Sequence, residues 1–159
     1  MNLKNCSTVL FVKDIEISKR FYSEILGLTI HLDFGKNVIY SCGFTIWEIQ
    51  NNHIIPSILG PDKITDNRFN RFELYFETDT LLQDFEDLKK NNIVFLNEIH
   101  EEPWGQRTIR FFDPDKHLIE IGESMKQFIT RFHHKGMTID EINIKTSVPV
   151  EEITRLLKE

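Results

Sequence analysis

Cysteine, excess positive charge and long apolar runs are all scarce or missing in this chain of 159 residues. Its two cysteines, Cys6 and Cys42, are too few for a disulfide framework, so we expect both to be core thiols. Nineteen basic residues against 25 acidic ones leave a net charge of -6, which disfavours nucleic-acid and anionic-membrane binding. No apolar run is long enough to span a bilayer, and residues 1–6 lack the apolar core of a signal peptide. We therefore expect a cytoplasmic protein that binds neither nucleic acid nor a membrane.

The composition is otherwise that of an ordinary globular chain, with 40% hydrophobic and 28% charged residues. A folded monomer of this size buries about 70% of the surface that its unfolded chain exposes, which is enough for a core without covalent staples. One domain with a small appendage is the expected organisation.

The pattern of apolar and turn residues occurs twice. Residues 6–50 predict a strand, a helix ending at Gly27, and three strands, and residues 72–122 predict the same order, with 51–71 as a connecting segment. An offset of about 65 residues places Phe11 on Phe76 and Asp14 on Asp79. The pattern predicts an α+β fold of paired βαβββ modules that form one cleft within residues 1–123. A general α+β sandwich with accidental internal similarity is the alternative.

Residues 124–159 predict helices only and form a C-terminal helical extension. An amphipathic helix spans 124–134, Thr138 and Glu141 form a capping box, and a last helical stretch follows Pro149. The segment after Gly136 superficially has a helix-turn-helix pattern, but its three basic and five acidic residues argue against phosphate contacts. The sequence favours a helical clamp that packs on the sheet or across a dimer.

Two motifs resemble a known family. Val12–Asp14, followed by Phe21-Tyr22 and Leu26–Leu28, is similar to the first module of the vicinal-oxygen-chelate superfamily, which includes glyoxalase I, bleomycin-resistance proteins and ring-cleaving dioxygenases. Phe112–Asp115 with His117–Glu120 resembles the last turn and strand of that superfamily. The resemblance covers residues 6 to 122 and implies the paired βαβββ fold. Because this fold serves several activities, the resemblance predicts structure more strongly than function.

The resemblance implies a divalent metal held by one residue from each of four inner strands. Carried over position by position, these are Ser7 or Thr8, then Glu48, Glu73 and Glu120, with histidine missing from the first and third positions. All-oxygen ligation favours Mg, Mn or Ca over Zn. A metal-free site is the alternative, in which three neighbouring carboxylates need a shared proton or an arginine. In that case Glu73 or Glu120 is a candidate general base. A further alternative is that Glu48 or Glu73 is only a solvated strand residue.

Strand alternation also selects candidate substrate-binding residues. It places Glu73 and Glu120 on the face opposite the apolar residues that pack under the helices. Arg107 and Arg110 are three positions apart, so only one of them faces that side, where it would bind a substrate carboxylate or neutralise the glutamates. A surface ion pair is the alternative for either arginine.

Two aromatic residues complete the candidate list, and a third is expected in the core. Tyr75 shares the parity of Glu73 and is expected to enter the cleft. Trp104, between Pro103 and Gly105, is a candidate for lining a pocket, whereas Trp47 between apolar neighbours is expected in the core.

The favoured function is that of a small enzyme resembling glyoxalase I. A metal at Glu48, Glu73 and Glu120 would chelate a substrate with vicinal oxygens and stabilise an enediolate while a carboxylate or bound water moves the proton. The alternative is a metal-free binding protein of the bleomycin-resistance type, favoured by the missing histidines and the two tryptophans. A regulatory protein that couples ligand binding to the helical tail is a third interpretation. The resemblance also leads us to expect a homodimer, with clefts formed either within one chain or across the dimer.

Overall fold

The computed structural model describes residues 7–64 and 73–158 of the chain. The chain separates into two compact units, Met1–Arg71 with Asp113–His117 and Phe72–Phe112 with Leu118–Glu159. The C-terminal extension therefore belongs to the second unit. Among the helices of the described ranges, none has the length and apolarity needed to cross a membrane.

The first unit has the predicted order of strand, helix and three strands. Its strands are β1 (Thr8–Phe11), β2 (Ile30–Asp33), β3 (Asn37–Tyr40) and β4 (Phe44–Trp47), and its helices are α1 (Ile15–Lys19), α2 (Ile54–Leu59) and α3 (Pro61–Ile64). A π-helical segment, Arg20–Ile25, continues α1. The strand order is β1-β4-β3-β2, with β1 parallel to β4 and the other pairs antiparallel. Helices α2 and α3 lie in the segment for which the sequence predicted only a connection.

Local sequence signals explain where α1 begins and what it covers. The Asp14 carboxylate accepts hydrogen bonds from the backbone nitrogens of Glu16 and Ile17 at 2.9 and 3.0 Å, which satisfies otherwise free donors of the first turn. The core of this unit includes Leu10 and Ile46, both at most 1% exposed.

Cys42 is exposed, so its prediction as a core thiol was wrong: it lies in the turn between β3 and β4. Cys6 lies outside the described residues.

The turn at 113–117, which carried part of the family resemblance, is organised around a buried aspartate. Asp113 is 2% exposed and accepts hydrogen bonds from the Tyr22 hydroxyl at 2.8 Å and from the backbone nitrogens of Asp115 and His117. The Asp115 carboxylate accepts a hydrogen bond from the Lys13 backbone nitrogen at 3.1 Å. Asp113 therefore closes this turn, and Asp115 connects it to the backbone at Lys13.

The second unit repeats the same order of elements. It contains β5 (Glu73–Thr78), α4 (Leu81–Lys90), β6 (Val94–Glu101), β7 (Arg107–Phe112) and β8 (Leu118–Glu123). The strand order is β5-β8-β7-β6, with β5 parallel to β8 and the other pairs antiparallel. One face of this sheet carries the buried apolar residues Leu74, Ile109, Phe111 and Ile119. By alternation the neighbouring residues project from the opposite face.

The extension folds into three helices with a core of their own. These are α5 (Met125–His134), α6 (Ile139–Thr146) and α7 (Val150–Leu156). The predicted capping box is present, with the Thr138 backbone nitrogen donating to the Glu141 carboxylate at 2.8 Å. The shared cluster of buried residues consists of Phe128, Ile129, Phe132, Ile142, Val148, Ile153 and Leu156. Helix α5 also packs on β8, which is one of the two arrangements that the clamp prediction left open.

Candidate functional site

The candidate site is built on the polar face of the second sheet. Tyr75 of β5 is in register with Glu120 of β8, and Glu120 is in register with Arg110 of β7. Residues paired in this way project from the same face, so the three side chains form one row across the sheet. Glu120 at the centre of the row is only 4% exposed.

Arg110 holds three carboxylates around one guanidinium. Its Nη2 lies 2.8 Å from Glu102 Oε1 and forms an ion pair with Glu120 Oε2 that lacks the alignment of a hydrogen bond. Its Nε lies 3.5 Å from Glu73 Oε2, and its Nη1 donates to the Thr108 hydroxyl at 3.3 Å. The arginine therefore supplies the positive charge that neighbouring carboxylates require.

The electrostatics of this group act differently on its members. Burial raises the pKa of Glu120 and the charges of Glu73 and Glu102 raise it further, while Arg110 opposes them. Burial acts to lower the pKa of Arg110, but its hydrogen bond to Glu102 and the charges of Glu120 and Glu73 raise it overall. The guanidinium therefore stays charged.

A second group of the same unit is organised by Gln106, which is only 7% exposed. Its Oε1 accepts a hydrogen bond from Trp104 Nε1 at 3.2 Å, and its Nε2 donates to the Tyr75 hydroxyl and to the Glu123 carbonyl, both at 2.7 Å. The Tyr75 hydroxyl in turn donates to Glu77 Oε1 at 3.0 Å. Partial burial of the phenol, with Glu77 beside it, raises the pKa of Tyr75 to about 12, so Tyr75 stays a neutral donor. One amide side chain thus fixes two aromatic residues that remain 45% and 42% exposed.

Gly122 makes room for this arrangement. A Cβ at this position would lie 2.7 Å from Gln106 Nε2 and 3.2 Å from a ring carbon of Tyr75. The absence of a side chain at Gly122 therefore allows Gln106 to lie across the sheet.

Most of the residues predicted as site residues lie on this side of the second unit: Glu73, Tyr75, Trp104, Arg110 and Glu120. Arg107 does not join them. Its backbone nitrogen donates to Glu123 Oε2 at 3.0 Å and its Nε lies 3.7 Å from Glu101 Oε2. Of the two arginines that alternation left open, Arg110 is the one that contacts the glutamates.

Glu48 belongs to the first unit and has a different environment. Its Oε2 accepts a hydrogen bond from the Ile15 backbone nitrogen at 2.9 Å, and its Oε1 pairs with Lys36. The Lys36 ammonium and the Ile15 N–H hold the pKa of Glu48 below its ordinary value. Glu48 shares the parity of Ile46 and binds the start of α1, whereas Glu120 has the opposite parity to Ile119. The equivalence of Glu48 and Glu120 suggested by the repeat does not hold in the structure.

The residues present do not fit the divalent metal that the fold family implies. No group of three or more His, Cys, Asp or Glu side chains within residues 7–64 and 73–158 is arranged to hold a metal ion. Arg110 lies among the carboxylates of Glu73, Glu102 and Glu120, and both Glu48 oxygens have protein partners. The Ser7 hydroxyl, at the first predicted ligand position, donates to the Gly43 carbonyl at 2.9 Å.

Sequence reasoning did not assign Glu102, Gln106 or Thr108 to the site. Gln106 lies two residues after Trp104, so its place near a candidate tryptophan was a usable signal. Glu102 reaches Arg110 from beyond the end of β6, and nothing in its immediate sequence indicates that contact.

Comparisons with known proteins agree with this architecture. Residues 5–126 match a family model described as Glyoxalase-like domain. A solved structure from Agrobacterium tumefaciens strain C58, titled a protein of unknown function, is 32% identical with a TM-score of 0.64, covering 79% of this chain and 97% of its own. No curated protein matches the chain significantly.

Two more distant structures show the fold alone. A lactoylglutathione lyase from Agrobacterium tumefaciens is 19% identical with a TM-score of 0.54, covering 76% of this chain and 93% of its own. A glyoxalase/bleomycin resistance protein/dioxygenase from Nocardioides is 20% identical with a TM-score of 0.57, covering 77% and 85% respectively.

Proposed function

We propose that this chain, which belongs to the glyoxalase-like domain family, is a binding protein for a small aromatic cation. Its site is the polar face of the second sheet, and it needs no metal ion. The observation that supports this proposal is the position of Arg110 among three carboxylates, where a metal-dependent member would need a metal.

The charge of the face supports a cationic ligand. The carboxylates of Glu73, Glu77, Glu102 and Glu120 outnumber the guanidinium of Arg110 on this face. A cation about 4 Å from a carboxylate gains about 4 kcal/mol at an effective dielectric constant of about 20, and an anion loses as much. The Glu73 side chain is 38% exposed, so it remains accessible to a ligand although it pairs with Arg110.

The aromatic side chains support a flat or methylated ligand. Tyr75 and Trp104 expose their rings while Gln106 fixes the polar atom of each. A cation over such a ring gains about 0.5 to 2 kcal/mol, and prior positioning reduces the entropy lost on binding.

The proposal is tested with phenyltrimethylammonium as the probe and benzenesulfonate as the anion of similar size. Calorimetric titrations in EDTA are expected to show one cation bound per chain, with an affinity that falls as salt is added and is at least about tenfold above that for the anion. Glu73→Gln is expected to weaken binding of the cation, whereas Glu86→Gln, on the exposed surface of α4, leaves it unchanged. Equal binding of both probes would contradict the proposal.

A lyase or isomerase of the glyoxalase I type is the second candidate, and the environment of Glu120 favours it. Burial raises the pKa of this carboxyl, which suits a general base. Elemental analysis of the purified protein and of Glu120→Gln tests the metal-dependent form, because a near-stoichiometric divalent ion lost in the variant would support it. Turnover of 2-oxoaldehyde–thiol adducts with Mn²⁺ supplied would support it as well.

The homodimer stays a prediction, which a measurement of mass in solution tests.

A further inference from the structure

We infer that the C-terminal extension is a clamp on the loop that carries Trp104, with Arg131 as a positioning residue for the ligand-binding face. The Trp104 loop is defined here as residues 102–106. The role of the face in ligand binding rests on the proposed function, whereas the clamp itself rests on contacts within the second unit.

The Trp104 loop is a tight turn that holds three contributors to the site. The Glu102 backbone nitrogen donates to the Gln106 carbonyl at 2.8 Å, and the Gly105 nitrogen donates to the Glu102 carbonyl at 2.7 Å. Glu102 pairs with Arg110, and Trp104 is bound through Gln106. A displacement of this loop therefore moves one carboxylate and one exposed ring of the face together.

Arg131 of α5 connects residues on both sides of the loop with the loop itself. Its Nη2 donates to the Gly105 carbonyl at 2.6 Å, and its Nη1 to Glu101 Oε2 at 3.2 Å. Its Nε and Nη2 bind the two carboxylate oxygens of Glu123 at 3.1 and 2.7 Å, a two-point contact that fixes the guanidinium in orientation. Glu123 Oε2 also accepts from the Arg107 backbone nitrogen just after the loop. The Arg131 and Glu123 side chains are 15% and 11% exposed, so this two-point contact is largely shielded from water.

Steric contacts from two helices of the extension act on the same loop. Gly105 has a φ of +95°, and a Cβ at this position would lie 2.2 Å from Phe132 Cζ of α5 and 2.9 Å from Lys145 Cε of α6. The extension is thus in direct contact with the backbone next to Trp104.

Glu123 joins the clamp to the exposed rings. Its carboxylate binds Arg131, and its carbonyl accepts the Gln106 amide that also holds Tyr75 and Trp104. Arg131, Phe132 and Lys145 all lie beyond residue 126, where the family match ends. The clamp is therefore supplied by the part of the chain that the family model does not cover.

The test measures the loop directly, without a ligand. In a Trp47→Phe background Trp104 is the remaining tryptophan, so acrylamide quenching reports its exposure. Arg131→Met is expected to increase quenching and to raise the Kd for phenyltrimethylammonium by at least about tenfold. The matched control Arg155→Met, which breaks an exposed pair with Glu152 in α7, is expected to change either quantity by less than about twofold.

A second pair of variants leaves every charge in place. Gly105→Ala and Gly35→Ala both introduce a side chain at positive φ, but a Cβ at Gly35 meets nothing within 4 Å. Only Gly105→Ala is expected to increase Trp104 quenching, and it decides the matter if Arg131→Met fails to fold. Wild-type quenching in folded Arg131→Met or Gly105→Ala would overturn the clamp. Failure of wild-type protein to bind the probe would instead remove the proposed function and leave the quenching result to decide the clamp.

Discussion

The two βαβββ units share one strand order but differ in the chemistry of the sheet face opposite the apolar core side. In the first sheet Phe11 is in register with Trp47, and their rings lie 5.9 Å apart. In the second sheet the corresponding strand pair, β5 and β8, places Tyr75 beside Glu120, which is followed by Arg110. Topology therefore repeats while side-chain chemistry does not, and the candidate site belongs to one repeat.

Two glutamates with similar neighbouring residues, Glu48 and Glu120, also have different environments in the two units. Glu48 binds the start of α1 and pairs with Lys36, which makes it part of the framework of its unit. Glu120 lies buried in the row of candidate site residues, where its charge is disfavoured. Similar sequence surroundings thus produce a structural carboxylate in one unit and a buried carboxylate of the candidate site in the other.

The largest expected effect on stability comes from removing the guanidinium of Arg110 from the second sheet. Arg110→Met leaves Glu73, Glu102 and Glu120 without their shared cation, so we expect the free energy of unfolding in urea to fall by about 3 kcal/mol at neutral pH. Arg155→Met, which breaks an exposed pair, is expected to cost less than about 1 kcal/mol. Equal losses in the two variants would show that Arg110 is not needed to hold the carboxylates.

The two glutamates should respond to pH with opposite signs. The lowered pKa of Glu48 means that its stabilisation is present above its unfolded pKa and lost as pH falls through the folded value. Glu48→Gln is therefore expected to destabilise the protein by about 1.5 kcal/mol near neutral pH and by less in acid. The measurement is urea denaturation over a range of pH.

Glu120 has a raised pKa, so its protonated form suits the fold and its contribution is lost as pH rises through the folded value. Glu120→Gln, which mimics the protonated form, is expected to raise the free energy of unfolding most above that pKa and to have little effect in acid. The same sign of effect for Glu48→Gln and Glu120→Gln would contradict the distinction between the units.

The helix caps give a smaller contrast between the units. Asp14→Ala removes two hydrogen bonds at the start of α1 and is expected to cost about 1 kcal/mol. Thr80, at the same position of α4, makes no side-chain capping bond. Thr80→Ala should therefore cost less than Asp14→Ala in chemical denaturation, and the reverse order would contradict the assigned caps.

The smallest effect is expected at Cys42, whose exposed thiol was predicted in the core. Cys42→Ser should change the free energy of unfolding by less than about 0.5 kcal/mol. The native thiol should also react with a thiol reagent without unfolding, and protection of Cys42 until the protein unfolds would restore the core interpretation.

The elements with local signals could be predicted from the sequence. Amphipathic spacing and the Asp14 cap locate α1, and the capping box at Thr138 locates α6, because these signals depend on neighbouring residues alone. Helices α2 and α3 span only six and four residues, too few for a period to be recognised. Because these helices are so short, the sequence predicted only a connecting segment over residues 51–71.

The register of the repeat could not be obtained in the same way. The offset that aligns Phe11 with Phe76 differs by one residue from one that aligns the buried Leu10 with Leu74. Since successive strand residues point to opposite faces, that single step exchanges the two faces of a strand. The same one-residue uncertainty in register explains why Thr8 was matched with Glu73, and Glu48 with Glu120, as equivalent positions of the repeat.

The charge balance of the site depends on contacts between strands that only the fold reveals. Strand alternation predicted that only one of Arg107 and Arg110 shares the face of the glutamates. In the structure this is Arg110, which contacts Glu73, Glu102 and Glu120. Glu102 reaches this group from the end of another strand, which no periodicity indicates. The sequence therefore placed Glu73, Tyr75 and Glu120 on one face, as the strand register does, but it did not identify the contacts of Arg110 and Glu102 on that face.

The central claim is that this face binds an aromatic cation without a metal ion. The most direct measurement is calorimetric titration of phenyltrimethylammonium into EDTA-treated protein and into the same protein supplied with equimolar Mn²⁺. The account predicts the same affinity in both samples, because Arg110 lies among the carboxylates where a metal ion would have to bind. Binding that occurs only with Mn²⁺ would contradict it.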